Sequence, residues 1–306
     1  MQTVGLYHKE PPVCNVPGMG TFQRARSEEQ RAARRRAILG AAAAMLAEMP
    51  VAQVSLNELS RRVGLAKSNV LRYFESREAV LLELLVSAWQ EWLVQLDDTL
   101  IAAVDAGAPP AERGDQLAAE LATSLASRPV LCDLISAQAA VLERNVSPQV
   151  AAEYKRAAFA NVAVLSRLVR DCVRELGEHD AGRFAAATVM VTSAVWPHAQ
   201  PSAAMLAAYQ ADPALASMRL DFTATLREVL EVLIAGLLAR ASRNRAGRAD
   251  QPAGNLALKR DPDCAPPWQG RDPCRQALPR AGSRGGLRQY LVTDPTARRP
   301  RHGPGP

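Results

Sequence analysis

The sequence predicts an all-α protein with a small N-terminal helical domain joined to a larger helical domain. Alanine and leucine dominate the composition, whereas glycine and proline gather at the chain ends and in short breaks. Between these breaks, apolar residues recur at the three- and four-residue spacing of helices. The length of 306 residues leaves room for about two domains.

Residues 55–77 carry the most informative local pattern. Ser55 and Glu58 have the spacing of a capping box, which starts a helix, and Gly64 is placed to end that helix. A second short helix is predicted over residues 67–74. The two helices can close one small core from Leu59, Val63, Leu65, Val70 and Phe74.

The second of these helices presents a polar and basic face. The outward residues are Lys67, Ser68, Asn69, Leu71, Arg72 and Tyr73. A helix, a glycine turn and a helix with such a face form a helix-turn-helix that reads DNA. A hairpin that only packs within the protein is the alternative interpretation.

This stretch resembles the DNA-binding domain of the tetracycline-repressor (TetR) family of bacterial transcription regulators. The matching segments are SLNEL at 55–59, VGLAK at 63–67, YF at 73–74 and SRE at 76–78. Leu71 and Ala66 depart from the resemblance, because the family usually has an aromatic residue and often a serine at these positions.

The resemblance implies a homodimer that binds double-stranded operator DNA and leaves it when a small-molecule effector binds. Asparagine can bond adenine bidentately and arginine can do so with guanine in the major groove. Lys67, Ser68, Asn69 and Arg72 are expected in the major groove, and by resemblance Ser55, Tyr73 and Arg77 are expected at phosphates.

Charge is distributed unevenly along the chain. Residues 1–77 contain 12 Lys/Arg and 6 Asp/Glu, residues 78–240 contain 12 and 20, and residues 241–306 contain 13 and 5. A basic end favours phosphate and an acidic body repels it. We therefore expect a DNA-binding domain over 24–77 and a ligand-binding and dimerisation domain over 78–240.

The N-terminal segment 1–23 shows no helical period and is expected to be disordered. Met19 lies just ahead of the recognisable domain, so translation is hypothesised to start there. The first helix is expected from a capping box at Ser27 to about Met49. Its cluster Arg31, Arg34, Arg35 and Arg36 forms either a phosphate contact or a solvated helix face.

The larger domain is predicted to begin with a long helix from Ser76 to about Val104, which by resemblance joins the two domains. Later helices are expected near Pro110, Pro129, Ser147-Pro148 and Asp180, after Ser202, and from Asp212-Pro213 onward. By resemblance, residues 181–196 and 214–239 form a four-helix bundle with a second subunit, although they can equally be buried within one subunit.

Residues 241–306 change character, since they carry 10 prolines, 8 glycines and scattered arginines. Such a segment buries too little surface to offset the entropy of ordering it. It is expected to be a disordered basic tail, either solvated or assisting nonspecific DNA binding.

An effector site is expected within residues 110–210, with a contribution from the connecting helix. Aromatic walls with a few polar groups are typical of sites for small apolar ligands, although each residue can equally belong to the core. The acidic surroundings favour a neutral or cationic ligand. The candidate residues are Trp92, Gln138, Tyr154, Phe159, Phe184, Trp196 and His198.

Other functional classes find little support in the sequence. Glycine-rich phosphate loops, HExxH and GxSxG motifs are absent, so we expect neither an enzyme nor a cofactor. The five cysteines form no CxxC pair, so a metal site or disulfide framework is not expected. We expect a cytoplasmic protein without a membrane helix. A ligand-independent activator or architectural DNA-binding protein, and a protein-binding adaptor, remain as alternatives.

Overall fold

The computed structural model describes residues 19–249, with side chains from residue 28 to residue 246. This part of the chain contains eleven α-helices and no strand, which confirms the predicted all-α class. Single 3₁₀ turns lie at Val51–Gln53 and Leu142–Asn145. The helices are α1 (Met19–Glu48), α2 (Leu56–Val63), α3 (Lys67–Val70), α4 (Arg77–Ala103), α5 (Pro110–Ala126), α6 (Pro129–Ala137), α7 (Pro148–Cys172), α8 (Glu178–Ala199), α9 (Ala203–Ala211), α10 (Pro213–Ala216) and α11 (Phe222–Ala249).

Helices α1, α2 and α3 pack into the predicted small N-terminal domain. Burying apolar side chains from all three helices removes their surface from water, which stabilises so small a unit. Val63 and Leu65 are partly buried at its edge. The fully buried members are Ile38, Ala42, Met45, Leu59 and Val70, and Phe74 is nearly so.

The first helix begins earlier than predicted. It starts at Met19, so residues 19–23 are helical and Ser27 lies inside the helix rather than at its N-cap. Residues 22–26 (FQRAR) include good helix formers and no proline, so nothing stops the helix at Ser27. Residues 1–18 lie outside the described residues.

The recognition helix is shorter than predicted, because α3 ends at Val70 instead of Phe74. The Val70 carbonyl accepts hydrogen bonds from both Tyr73 N (2.9 Å) and Phe74 N (3.2 Å). Bonds to the third residue along the chain tighten a helix end into a turn. Residues 71–74 are therefore the recognition turn, which continues from α3.

Helix α4 joins the two domains, as the resemblance implied. By length and composition alone it is apolar enough to span a membrane. Its apolar side chains nevertheless lie in the protein core, among them Leu81, Leu85, Trp89, Trp92, Leu96 and Leu100. This burial identifies α4 as a core helix.

Helices α5 to α8 form most of the larger domain around α4, and α7 and α8 pack extensively on each other. The predicted starts at Pro110, Pro129 and Pro148 are confirmed. Helix α8 runs from Glu178 to Ala199, so it extends past both ends of the segment 181–196 that is expected in the bundle.

The last helix differs from the prediction at both ends. Asp212 and Pro213 begin only the single turn of α10, and α11 begins at Phe222 because the Asp221 carboxylate accepts a hydrogen bond from Ala224 N (2.7 Å). Helix α11 then continues to Ala249, beyond the predicted domain end at residue 240. Residues 250–306 lie outside the described part of the chain.

Two cysteines in the described range have the environment of structural thiols. Cys132 is fully buried and Cys172 is half-buried, and both are free. Burial raises the pKa of Cys132 to about 12 and that of Cys172 to about 11, so neither is a thiolate near neutral pH. Among the described residues, no three His, Cys, Asp or Glu side chains lie together so that they could hold a metal ion.

Candidate nucleic-acid interface

The turn between α2 and α3 is built from two local features that the sequence predicts. Ser55 caps α2, because its hydroxyl oxygen accepts a hydrogen bond from Glu58 N at 3.1 Å. Gly64 ends α2 in the left-handed region at φ 70°, where a side chain would be strained. These features fix the angle at which α3 leaves α2.

A network of charged side chains braces α2. The Glu58 carboxylate accepts hydrogen bonds from Arg61 (2.9 Å to Nε) and Arg62 (3.0 Å to Nε). Arg62 also reaches Glu48 on α1 at 2.6 Å. The hydrogen bonds from Arg61 and then Arg62 lower the pKa of Glu58 from 4.5 to about 2.

We expect the Glu58 carboxyl group to titrate near pH 2 in the folded protein. Its lowered pKa stabilises the native state above the unfolded value of 4.5, and this contribution disappears as the pH falls from 4.5 through about 2. NMR titration of the carboxyl carbon measures the pKa directly. In the Arg61→Gln/Arg62→Gln variant it should return toward 4.5, and a wild-type value near 4.5 would contradict the network.

The recognition surface is exposed and has no competing internal contacts. Lys67, Ser68, Asn69 and Arg72 are exposed, and none of their side chains forms a hydrogen bond or an ion pair within the described chain. Leu71 lies among them with 41% of its surface exposed. The donors and acceptors of these side chains are therefore available to a DNA major groove.

A basic groove lies beside this surface, between α1 and the recognition turn. It has a volume of about 580 Å³ and is lined by Gln30, Arg31, Ala33, Arg34, Arg72 and Tyr73. Its lining contains arginines from both elements and no carboxylate, which suits a nucleic-acid phosphate. Tyr73, predicted to contact phosphate, lies in this groove.

The arginine cluster of α1 divides into two roles. Arg31 and Arg34 line the groove, whereas Arg35 turns inward. Arg35 Nη1 donates to the Tyr73 carbonyl at 2.7 Å, and its guanidinium lies 4.2 Å from the centre of the Phe74 ring. Its Nε also donates to Glu83 on α4 at 2.8 Å. Arg35 therefore ties the recognition turn to α4.

Arg77, predicted to contact phosphate, has an internal partner in the structure. Its Nη1 donates to the Val54 carbonyl at 2.8 Å, and its side chain is only 19% exposed. This contact holds the start of α4 against the residue before the Ser55 cap. The resemblance assigns Arg77 to a phosphate, but it does not show that the guanidinium turns toward the protein.

Two protein-family models match the chain, one over each of its two domains. A model of the bacterial regulatory proteins of the tetR family matches residues 38–84, and a model of the tetracyclin repressor-like C-terminal domain matches residues 87–241. The chain belongs to the TetR family. Its helix-turn-helix and its larger helical domain are the two parts of a TetR-family transcription regulator.

Solved structures of TetR-like regulators are similar to this chain at low sequence identity. A TetR transcriptional regulator from Rhodococcus sp. RHA1 is 16% identical with a TM-score of 0.43, covering 69% of this chain and 98% of that one. FadR from Bacillus subtilis, solved in complex with stearoyl-CoA, is 15% identical with a TM-score of 0.42, covering 66% and 98%. No curated protein sequence matches the chain.

The seven residues predicted for an effector site do not line one cavity in this TetR-family structure. Phe159 and His198 are exposed, with Phe159 exposed at 56%, so neither forms the wall of a buried pocket. Trp92 Nε1 donates to Ser124 Oγ at 3.1 Å, and the Tyr154 hydroxyl donates to Gln138 Oε1. Trp196 packs edge-on against Phe222, and Phe184 is fully buried.

Sequence reasoning missed three unpaired buried polar groups on the helices of the larger domain, besides Glu175 Oε2 in the turn after α7. Trp89 Nε1 on α4, Asn161 Nδ2 on α7 and Thr192 Oγ1 on α8 are buried without a hydrogen-bond partner in the protein. Buried polar groups are normally paired, so each of these groups needs a partner that the protein does not supply, such as a water molecule or a ligand. A polar residue within the apolar stripe of a helix, such as Asn161, was the available sequence signal.

Proposed function

We propose that this regulator is a homodimeric repressor that binds operator DNA through α3 and the recognition turn and is released by a small-molecule effector. The observation that carries the proposal is the exposed, internally unpaired set Lys67, Ser68, Asn69 and Arg72 beside a groove lined by arginines. The proposed action is binding alone, without a catalytic step. We expect the protein to act in the cytoplasm, where bacterial DNA lies.

Base recognition follows from the chemistry of the exposed side chains. Asn69 presents an amide that can bond adenine, and Arg72 presents a guanidinium that can bond guanine. Leu71 adds an apolar contact of the kind that thymine methyl groups accept. Arg31 and Arg34 supply positive charge for the phosphate backbone, which sets affinity and register rather than sequence.

Replacing Arg72 with alanine should relax base preference at one position in each half-site. A good bidentate contact contributes about 1–3 kcal/mol of discrimination. A binding selection from randomised DNA, followed by sequencing, measures this preference. Arg144→Ala removes another exposed arginine, which lies in the larger domain, and should leave the base preference unchanged. An unaltered preference in Arg72→Ala would overturn the assignment.

An apolar outer face on α8 and α11 supports the proposed homodimer. Met190 on α8 is 64% exposed and Val232 on α11 is 68% exposed. The groove between these helices is lined by Phe184, Ala187, Leu233, Gly236 and Leu237 and is edged by arginines, among them Arg183 and Arg240. An exposed apolar face of this kind marks a protein interface, and a two-fold axis lets it pack on its own copy.

The unpaired polar groups support an effector site in the larger domain. Trp89 and Asn161 offer N–H donors and Thr192 offers a hydroxyl, all surrounded by apolar core. The chemistry fits a largely apolar effector that carries hydrogen-bond acceptors such as carbonyl or ether oxygens. Such a molecule would satisfy donors that the protein leaves unpaired.

Direct contacts between the two domains provide a route from this site to DNA. The carboxylate of Asp133 on α6 accepts a hydrogen bond from Val51 N, in the segment before α2, at 2.9 Å. Arg35 joins the recognition turn to Glu83 on α4. An effector that binds one arrangement of α4 and α6 more tightly than another favours the position of α3 and the recognition turn that goes with that arrangement. By reciprocity, operator DNA weakens effector binding by the same factor by which the effector weakens operator binding.

Replacing Thr192 with valine should raise the free energy of unfolding by about 1 kcal/mol and weaken the effector response. The substitution keeps the side-chain shape and removes a buried hydroxyl without a partner. Chemical denaturation measures the stability. The matched control is Thr188→Val on the same helix, whose hydroxyl does bond, to the Phe184 carbonyl at 2.9 Å; it should not stabilise the fold.

The effector response is measured by titrating candidate compounds into the protein–operator complex and, separately, into free protein. Release of operator DNA by the compound, with weaker binding of the compound in the presence of operator, supports the repressor proposal. Thr192→Val should then raise the compound concentration needed for half-release about tenfold, the effect of losing one hydrogen bond. A compound that binds tightly without changing operator affinity would favour a ligand-independent regulator instead.

A further inference from the structure

The segment between α8 and α11 is far longer than their connection requires. The rings of Trp196, near the end of α8, and Phe222, at the start of α11, meet edge to face with centroids 5.0 Å apart. Antiparallel helices whose ends meet are commonly joined by about 2–8 residues. Here residues 200–221 leave this junction, form α9 and α10 and return. We call residues 200–221 the arm.

The arm is exposed although it is rich in apolar side chains. Neither α9 nor α10 contains a buried residue, and the two helices pack mainly on each other. Met218 is 74% exposed. The other large apolar residues exposed on the arm are Met205, Leu206, Leu215 and Leu220. Exposed apolar side chains gathered on one segment mark an interaction surface.

The arm nevertheless has ordered local structure. The Ser202 hydroxyl oxygen caps α9 by accepting from Met205 N at 3.3 Å, and the Asp212 carboxylate caps α10 by accepting from Ala214 N at 2.8 Å. Helices of 9 and 4 residues are too short to be stable in water without tertiary packing. A surface outside the protomer would therefore stabilise them beyond their packing on each other.

We propose that the arm packs on the second copy of this chain in the homodimer, and the proposal rests on the homodimer proposed above. The arm leaves and rejoins the protein at the ends of α8 and α11, the helices whose outer face we assign to the dimer. A second copy seated on that face therefore lies beside the arm. The charged residues of the arm are only Asp212, Arg219 and Asp221, so it has little attraction for DNA or for an anionic membrane.

Two measurements test the position of the arm. Hydrogen exchange of residues 203–217 is compared above and below the dimer dissociation constant, which sedimentation equilibrium provides. We expect slower exchange only in the dimer. The double variant Leu215→Ser/Met218→Ser should raise the dissociation constant about tenfold, a change equal to about 1.4 kcal/mol. The control Val94→Ser, at a 68% exposed valine on α4, should leave the constant unchanged.

The possible outcomes distinguish failure of the arm contact from failure of the homodimer proposal. Fast exchange of the arm in a stable dimer, with an unchanged dissociation constant in the double variant, would overturn the arm contact and leave the homodimer intact. A chain that stays monomeric at every concentration would overturn the homodimer and the arm contact together. Protection of the arm by uncharged lipid vesicles without protection in the dimer would assign it to a membrane and overturn the proposal.

Discussion

Replacing Arg113 with alanine should lower the free energy of unfolding by about 3 kcal/mol, because several buried groups lose their partner at once. Arg113 is 7% exposed. It donates to the carbonyls of Ala108 (3.1 Å) and Cys172 (2.7 Å) and to the carboxylate of Glu175 (2.6 Å). It thereby ties the start of α5 to the end of α7.

Denaturant unfolding measures the effect of Arg113→Ala. Arg167→Ala removes an exposed arginine from α7 and should change the stability by less than about 0.5 kcal/mol. Arg113→Lys should recover only part of the loss, since an ammonium group cannot reproduce three directed bonds from one planar fork. A loss below about 1 kcal/mol in Arg113→Ala would show that water replaces the guanidinium.

Replacing Val232 with aspartate should produce a folded monomer that binds operator DNA at least about a hundredfold more weakly. Val232 is 68% exposed in the protomer, so a charge there leaves the core intact but opposes packing against a second copy. A monomer holds one half-site at a time and loses the effective concentration that a linked second reader provides, which is about 10²–10⁴-fold in related cases.

Sedimentation and DNA-binding measurements together test Val232→Asp. The matched control is Val94→Asp, because Val94 is also 68% exposed but belongs to α4 rather than to α8 or α11. The control should remain a dimer and retain operator affinity. A dimeric Val232→Asp protein would place the subunit interface elsewhere, whereas a monomeric protein with full affinity would remove the need for two subunits.

The N-terminal domain could be predicted from sequence because local interactions specify most of it. The Ser55 cap and the Gly64 turn depend on a few adjacent residues, and both have the expected geometry. The end of α3 could not be predicted, since it depends on hydrogen bonds that close a tighter turn after Val70. The direction of each arginine was equally inaccessible. Arg34 and Arg35 are neighbours in sequence, yet Arg34 lines the groove and Arg35 donates to the Tyr73 carbonyl.

The candidate effector site shows where residue type alone is insufficient. The sequence predicts Trp92 and Tyr154 as aromatic walls, but each has a hydrogen-bond partner in the folded core. Trp89 is not among the predicted residues, although its indole N–H is the unpaired one of these two tryptophans. The difference between the two tryptophans depends on which residue lies opposite each of them. Periodicity along one helix does not contain that information.

The contacts of Arg35 connect the reading surface to the start of α4. This side chain binds the carbonyl of Tyr73, covers the ring of Phe74 and pairs with Glu83, so we expect the reading surface and the first turns of α4 to move together. A bend in α4 is then expected beyond Glu83, where the Ser87 hydroxyl donates to the Glu83 carbonyl at 3.1 Å, a back-bond that favours bending in helices. A small rotation there would be magnified with distance, as at the long end of a lever.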